Sequence, residues 1–235
     1  MNDLARRLSA EAFGSAALAA IVIGSGVMAE RFAGGNTALA LLGNTLATAA
    51  GLYVLVVVFA PVSGAHFNPV VTLACFLRRE LRWREASAYS VVQIAGMLIG
   101  VLLAHAMFEL PAWLPSSKPR HGASQVLSEA VATFMLIVAI FGTRGRRVES
   151  VGAAVALVIA AGYWFTASTS FANPAITIAR ALSDTFAGIR MADVPAFIFG
   201  QLVGGLLASA FCAWLFAADA PDATSPLAAS DQRGK

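Results

Sequence analysis

Two Asn-Pro dipeptides occur in matching apolar surroundings in the two halves of this chain of 235 residues. The first lies in the run Gly-Ala-His-Phe-Asn-Pro-Val-Val-Thr-Leu-Ala, residues 64–74, and the second in Thr-Ser-Phe-Ala-Asn-Pro-Ala-Ile-Thr-Ile-Ala, residues 169–179. Asparagine is a strong helix N-cap, and proline is favoured at the first helical position because its missing N–H would have no partner there. The pairs therefore predict two helices that are capped by Asn68 and Asn173.

The same asparagines can also bind a solute. The side-chain oxygen can accept from the helix backbone while the amide N–H groups point elsewhere, so Asn68 and Asn173 can cap a helix and donate at the same time. If the two helix starts faced each other, partial positive charges of about half an elementary charge at each would repel a cation. The motifs therefore predict a site that admits neutral molecules with oxygen lone pairs and excludes cations and excess protons.

The composition places these motifs in a membrane. Hydrophobic residues make up 58% of the chain and charged residues only 12%, with a mean hydropathy of +0.74. Such a chain lacks the polar residues that a soluble domain needs for its surface. Cys75 and Cys212 lie in apolar runs, which indicates small buried hydrophobes rather than a disulfide or a metal pair. The basic residues are scattered over short loops, so the net charge of +3 does not indicate nucleic-acid binding.

Six apolar segments are long enough to cross about 30 Å of hydrocarbon as helices. They lie at 11–31, 37–60, 87–108, 126–143, 149–168 and 194–217. Two further segments, 68–77 and 173–183, are too short to cross and are predicted to be half-helices. Non-helical backbone at membrane depth must be buried in protein or line a wet cavity, so the segments that lead into the two caps should do so. Two interfacial loops with ordinary helix starts are the alternative.

Three spans and a half-helix occur twice, in opposite orientation, which predicts an all-α membrane protein built as an inverted repeat. The first repeat covers 11–109 and the second 126–217, and a linker at 110–125 joins them. Residues 1–10 precede the first span. The tail at 218–235 is rich in Asp, Pro, Ser and Ala and has the composition of a disordered segment.

The distribution of lysine and arginine predicts the orientation. With six spans both termini share a side, and that side holds Arg6, Arg7, Arg78, Arg79, Arg82, Arg84, Arg144, Arg146, Arg147, Arg233 and Lys235. The other side holds Arg31, Lys118, Arg120, Arg180 and Arg190. Both termini are therefore expected in the cytoplasm and the linker outside, with the half-helix N-termini meeting near the midplane.

The chain resembles the aquaporin and aquaglyceroporin (major intrinsic protein) family from Glu11 to about Phe216. The resemblance rests on the run Ser-Gly-Ala-His-Phe-Asn-Pro-Val-Val-Thr at 63–72, on the second Asn-Pro-Ala at 173–175, and on a pair of acids, Glu11 and Glu129. It implies six helices and two half-helices around one pore in each subunit, and four subunits in an assembly. The pore motifs that it implies are Asn68, Pro69, Val70, Asn173, Pro174 and Ala175.

The chain departs from the family's usual pattern at the outer filter. An arginine usually follows the second Asn-Pro-Ala directly, and here that position is Ile176. Thr48 stands where water channels usually place a bulky aromatic residue, and Ser170 contributes a small side chain before the second motif. The fifth-span position falls at one of three consecutive residues: Ala161, Gly162 or Tyr163. Together these residues predict a wider opening with fewer hydrogen-bond donors than a strict water filter.

This filter is similar to that of bacterial aquaporins associated with arsenic-resistance operons, which also share a stretch much like residues 163–175. The resemblance implies that arsenous acid, methylated arsenicals and glycerol-like polyols pass as well as water. Arsenous acid is uncharged at neutral pH and resembles a polyol in shape and hydrogen bonding. An ordinary water or glycerol channel unrelated to arsenic is the alternative.

Several ionisable residues in apolar surroundings allow more than one interpretation. Intramembrane acids such as Glu11 and Glu129 suggest function or ion coupling, but the matching acids of the family brace the re-entrant loops by accepting backbone N–H groups. His66 is expected to fix the first loop by hydrogen bonding, with a proton-linked gate as the alternative. His105 and His121 are expected at the surface.

Arg180 lies one helical turn after Ile176, on the same face of the second half-helix. It could line the outer mouth of the pore and replace the missing charge there. We favour the alternative that it reaches the membrane interface or pairs with Asp184, four residues further on.

Three function classes fit an apolar inverted repeat: a passive channel, a coupled secondary transporter and a non-conducting structural protein. A transporter needs titratable groups at its substrate site, and the spans hold few, which favours the channel. No nucleophile with a base, metal-ligand spacing or phosphate loop is present, so we predict no enzyme activity, cofactor or metal. The expected partners are small neutral solutes, the lipid of the inner (plasma) membrane and, by resemblance, three further copies of the chain.

Overall fold

The computed structural model describes residues 3–217, which form eight α-helices and a short 3₁₀ turn at Met191–Asp193. The helices are α1 (Asp3–Phe32), α2 (Thr37–Ser63), α3 (Pro69–Leu77), α4 (Trp83–Met107), α5 (Ala123–Gly142), α6 (Val148–Phe165), α7 (Pro174–Arg180) and α8 (Val194–Leu215). All except α3 and α7 are long and apolar enough to cross a membrane. Six long helices and two short ones confirm the predicted all-α class. The predicted disordered tail at 218–235 lies outside the described residues.

Several helix ends differ from those predicted by hydropathy. Helix α1 begins at Asp3, so Glu11 lies about two turns inside it, and the described part of the segment 1–10 is helical rather than a separate tail. Helix α4 begins at Trp83, and α7 ends at Arg180 instead of continuing to 183. Hydropathy marks only the apolar part of a helix, so it misses the charged turns that begin α1 and α4. Helix α7 is shorter than predicted because the backbone after Arg180 bonds to the linker instead of continuing the helix.

Glycines allow the long helices of each repeat to pack closely. A Cβ atom on Gly96 of α4 would lie 2.3 Å from the carbonyl oxygen of Ala12 in α1. In the second repeat, a Cβ on Gly204 of α8 would lie 2.1 Å from the carbonyl oxygen of Ala130 in α5. Small residues at helix crossings let backbones approach in this way. The matched crossings place α1 against α4 and α5 against α8, and each pair supports one re-entrant segment.

The linker between the repeats folds back on the segment that follows α7. The Ser116 N–H donates to the Ala181 carbonyl at 2.9 Å, and the Asp184 N–H donates to the Leu114 carbonyl at 2.9 Å. The linker therefore packs beside the second half-helix, where its side chains can reach the site.

Candidate functional site

The two Asn-Pro motifs meet, and each asparagine holds the other repeat. Asn68 accepts from the Val70 N–H at 2.9 Å, and its Nδ2 donates to the Ala172 carbonyl at 2.7 Å. Asn173 accepts from the Ala175 N–H at 3.0 Å, and its Nδ2 donates to the Phe67 carbonyl at 2.8 Å. Capping and donation therefore occur together in both repeats.

Left-handed backbone conformations aim these carbonyls across the repeat boundary. Ala65 and Phe67 have φ values of 51° and 48°, and Ser170 and Ala172 have φ values of 49° and 49°. Positive φ in a residue other than glycine carries a strain of about 1–3 kcal/mol, so it persists only where surrounding contacts determine it. Two buried glutamates supply such contacts.

Glu11 accepts four hydrogen bonds behind the first re-entrant segment. Its Oε1 accepts from the His66 N–H at 3.0 Å and from the Ser63 hydroxyl at 2.6 Å. Its Oε2 accepts from the Phe67 N–H and from Gln93 Nε2, both at 2.8 Å. The carboxylate is fully buried and its oxygens are occupied by donors of the protein itself.

Glu129 has the matching place behind the second segment. It accepts from the N–H groups of Phe171 and Ala172, both at 2.9 Å, and from Gln201 Nε2 at 2.6 Å. The Gln201 amide also donates to the Thr177 hydroxyl at 2.8 Å. Gln93 and Gln201 were not among the predicted residues, although a glutamine in an apolar span was a signal that could have identified both.

A cavity of about 250 Å³ runs past both motifs. Of the predicted residues, its walls include Asn68, Asn173, Thr48, Tyr163, Ser170, Ile176, His66 and Arg180. Each asparagine amide carries two N–H groups. One of them binds the opposite repeat, and the second is available to a molecule in the cavity. Four motif residues, Pro69, Val70, Pro174 and Ala175, lie behind the wall rather than in it.

The three candidates on the fifth span differ in where they point. The Tyr163 side chain lines the cavity and its hydroxyl lies 3.5 Å from Thr48 Oγ1. Gly162 lies beneath Ser170, because a Cβ there would be 2.5 Å from Ser170 Oγ. Ala161 is exposed and is not one of the residues that line the cavity. Consecutive helical residues point about 100° apart, and only one of the three can face the lumen.

The histidines have three different environments. His66 lines the cavity, its Nδ1 lies 3.1 Å from Thr72 Oγ1, and its ring packs on Tyr89. His121 is exposed, as expected. His105 is not a surface residue: it is completely buried, with Nδ1 2.7 Å from the Pro111 carbonyl and Nε2 2.9 Å from Ser183 Oγ. The folded linker and the segment after α7 cover it.

Arg180 does not reach the membrane interface or pair with Asp184. It is 2% exposed, its Nε donates to the Ala187 carbonyl, and its guanidinium carbon lies 3.3 Å from the Phe171 ring centroid. Asp184 instead accepts from the Ser117 N–H at 2.9 Å. The favoured interpretation was wrong, and the alternative that Arg180 lines the site agrees with its position in the cavity wall.

Arg120 belongs to this region although no sequence motif indicates it. Its Nε donates to the Gly188 carbonyl at 2.8 Å, its Nη1 donates to the Ser168 carbonyl at 3.0 Å, and its guanidinium lies 5.0 Å from the Phe171 ring centroid. Burial lowers the pKa of Arg120 to about 10, which still leaves it charged at neutral pH. Linker residue Arg120 thus binds the backbone just before the second motif.

The opposite end of the cavity is bordered by an ion pair between two loops. Arg144, in the loop after α5, contacts both carboxylate oxygens of Glu80, in the loop after α3. These hydrogen bonds are the largest cause that raises the pKa of Arg144. Both residues line the cavity, so this end carries both signs of charge.

Comparison with known proteins identifies the fold and the family. Residues 1–161 match the profile described as Major intrinsic protein. This chain belongs to the major intrinsic protein family. The family consists of membrane channels, and the two short helices with their Asn-Pro caps are consistent with membership.

Relatives from this family cover almost the whole chain. An aquaglyceroporin (AqpS) of Rhizobium meliloti is 50% identical over 214 residues, 91% of each chain. A probable aquaporin (AqpM) of Archaeoglobus fulgidus is 29% identical over 91% of this chain and 96% of its own. The X-ray structure of the aquaglyceroporin from Plasmodium falciparum has a TM-score of 0.65 and covers 92% of this chain and 100% of its own, at 20% identity. That likeness shows the same fold.

Proposed function

We propose that this protein is a passive channel for small neutral solutes, which passes glycerol-like polyols, arsenous acid and methylated arsenicals as well as water. The observation that carries the proposal is the pair of asparagine amides, fixed across from each other in the wall of one cavity. Their free N–H groups favour oxygen lone pairs, and the positive ends of α3 and α7 oppose a cation. The half-identical aquaglyceroporin of Rhizobium meliloti supports a solute of the glycerol class.

A wide outer filter is proposed from the side chains near the second motif. Ile176 stands in the cavity wall where the family usually has an arginine, and Thr48 and Ser170 are small neighbours in the same wall. An apolar residue and two hydroxyl groups leave room for a polyol-sized molecule and donate few hydrogen bonds. Arsenous acid has this size and polarity, which extends the proposal to neutral arsenicals.

Glu11 and Glu129 are proposed to brace the re-entrant segments rather than to couple transport to an ion. Four donors occupy Glu11 and three occupy Glu129, all from the protein. A coupling carboxylate must exchange its partners for an ion or a proton in each cycle. This saturation favours a channel over a secondary transporter.

The cellular setting is proposed from sequence and family resemblance. We place the protein in the inner (plasma) membrane with both termini in the cytoplasm, since most arginines of the short loops lie on that side. A homotetramer with one pore in each subunit follows the family. Membrane lipid then covers the faces of the helices that other subunits leave free.

Stopped-flow measurements on proteoliposomes test the proposal. Wild-type vesicles should take up glycerol and arsenous acid well above the rate of empty vesicles, in addition to water. Ile176→Arg should reduce glycerol and arsenite flux at least tenfold while some water flux remains, and Ile176→Leu is the matched control. Water flux without any glycerol or arsenite flux would refute the wide filter. Equal loss of all fluxes in a folded Ile176→Arg protein would make Ile176 a structural residue.

A further inference from the structure

The charge that is absent directly after the second motif reappears one turn later on the same half-helix. We infer that Arg180 is the cation-rejecting residue of this channel: its guanidinium supplies the fixed positive charge of the outer cavity while Ile176 leaves the opening wide. The inference rests on the proposed channel function and adds to it the residue that determines charge selectivity.

The direction of the side chain is the first argument. Helical side chains lean toward the N-terminus of their helix, so a long residue covers the turn that precedes its own Cα. Arg180 ends α7, and its guanidinium contacts the ring of Phe171, which precedes the helix. The side chain therefore runs back along α7, past the turn that holds Ile176. All three residues are part of the same cavity wall.

The first repeat gives an internal check on this geometry. Val71 and Cys75 occupy the positions in α3 that match Ile176 and Arg180 in α7, counted from the asparagine caps. Both Val71 and Cys75 line the cavity as well. The fourth residue after the valine or isoleucine thus faces the lumen in both repeats, and only the second repeat has a charge there.

The charge of Arg180 is not neutralised by a direct partner. Its Nε is taken by a backbone carbonyl, and within residues 3–217 it forms no ion pair with a carboxylate. The carboxylate of Glu129 is occupied by its own three donors, and Asp184 is held by the linker. Arg120 adds a second cation on the Phe171 ring. The outer part of the cavity is therefore positive.

The size of the effect follows from Coulomb's law. At an effective dielectric constant of about 20, one unit charge at roughly 6 Å changes the occupancy of a monovalent cation by about a hundredfold. A neutral polyol does not experience this electrostatic repulsion. Removal of the guanidinium should therefore change the ratio of cation to polyol permeation, rather than reduce all transport alike.

The experiment compares potassium current in planar bilayers with glycerol flux in proteoliposomes for the same full-length variants. Arg180→Gln should raise the ratio of potassium conductance to glycerol flux at least tenfold over wild type. Arg180→Lys, which keeps the charge, should restore most of the rejection. Arg31→Gln is the control, because Arg31 is an exposed arginine that binds the Phe108 carbonyl outside the cavity, and it should leave the ratio unchanged.

The outcomes separate this inference from the proposed function. Wild-type vesicles without glycerol flux would refute the channel itself. A folded Arg180→Gln protein with normal glycerol flux and no gain of potassium conductance would overturn the role of Arg180 alone. If neither Arg180→Gln nor Arg180→Met yields folded protein, the arginine serves stability, and the inference is likewise overturned.

Discussion

The two re-entrant segments match residue by residue, yet they differ in what they present to the cavity. Ser63, Ala65 and Asn68 in the first correspond to Ser168, Ser170 and Asn173 in the second, with a constant offset along the chain. The Ala65 N–H donates to the Ser63 hydroxyl at 3.1 Å, and the Ser170 N–H donates to the Ser168 hydroxyl at 3.2 Å. The backbone scaffold is thus duplicated, and the differences lie in individual side chains.

The braces behind the segments differ by one hydrogen bond. The Ser63 hydroxyl donates to Glu11, whereas the Ser168 hydroxyl lies 3.5 Å from the Thr166 hydroxyl. The carbonyls of the two serines have different donors: the Tyr89 hydroxyl donates to the Ser63 carbonyl at 3.0 Å, and Arg120 Nη1 donates to the Ser168 carbonyl at 3.0 Å. The first segment is therefore held by a buried carboxylate and a tyrosine of α4, and the second by a buried carboxylate and an arginine of the linker.

The cavity walls differ more than the braces. Val71 and Cys75 make the first segment neutral, whereas Ile176 and Arg180 combine bulk with charge in the second. A symmetric scaffold thus carries an asymmetric lining. Solute selection can change at the second segment without any change in the contacts that hold the two segments together.

The largest expected effect comes from removal of a brace. Glu11→Ala and Glu129→Ala should each greatly reduce the yield of folded protein, because every buried donor that loses its acceptor costs about 1–3 kcal/mol. Glu11 serves four donors and Glu129 three, so Glu11→Ala should be the more severe change. The measurement is the recovery of monodisperse protein in detergent.

Glutamine substitutions at the same positions serve as controls. Glu11→Gln and Glu129→Gln keep one acceptor oxygen and should retain more folded protein than the alanine variants. Normal yield and thermal stability for both alanine variants would contradict the bracing role of these residues.

A smaller effect is expected from a change that acts only on the second segment. Gly162→Ala places a Cβ 2.5 Å from Ser170 Oγ in the present geometry, so Ser170 must move toward the lumen. Glycerol flux should fall several-fold relative to water flux in stopped flow. Ala161→Val adds volume to the adjacent residue on the outer face, and it should leave this ratio unchanged. A parallel drop in both fluxes for Gly162→Ala would argue against a local narrowing.

The smallest effects should come from the matched pair Gly64 and Thr169, both at positive φ. Gly64 has φ 90°, and a Cβ there would lie 2.9 Å from His66 Nε2, so Gly64→Ala should lower stability by about 1–2 kcal/mol. Thr169 already has a φ of 60°, and its hydroxyl accepts a hydrogen bond from Arg120 Nη1 at 3.4 Å. Thr169→Gly relieves backbone strain in the folded protein but raises the conformational entropy of the unfolded chain. The free energy of unfolding should therefore change by no more than about 0.5 kcal/mol. Thermal unfolding in detergent measures the stability of both variants. A larger loss of stability for Thr169→Gly than for Gly64→Ala would contradict this prediction.

The sequence predicted the features that depend on local chemistry and periodicity. Apolar length identified six helices, Asn-Pro identified two caps, and Glu11 and Glu129 stood out as acids in apolar segments. These signals lie within a few residues of the structures they specify. The family resemblance identified Ile176 as the residue that stands where an arginine is usual.

The features that the sequence did not predict depend on contacts between distant segments. His105 is buried because the linker and the segment after α7 cover it. The path of neither segment can be predicted from its local sequence pattern. Arg180 was assigned to the interface because spacing gives the face of a helix but not the direction in which a long side chain bends. Arg120 lies in a polar loop, where nothing distinguishes it from a solvated arginine.

The reciprocal bonds between the asparagines and the opposite repeat also constrain synthesis of the protein. The Phe67 carbonyl and the Asn68 amide find their partners only at Asn173 and Ala172. A ribosome that adds about 5–20 residues per second needs roughly 5–20 s to reach that point. If the first half enters the membrane during this interval, its polar groups lack their final acceptors and donors there. The nascent chain must therefore keep these groups near water or the insertion machinery until the second half arrives.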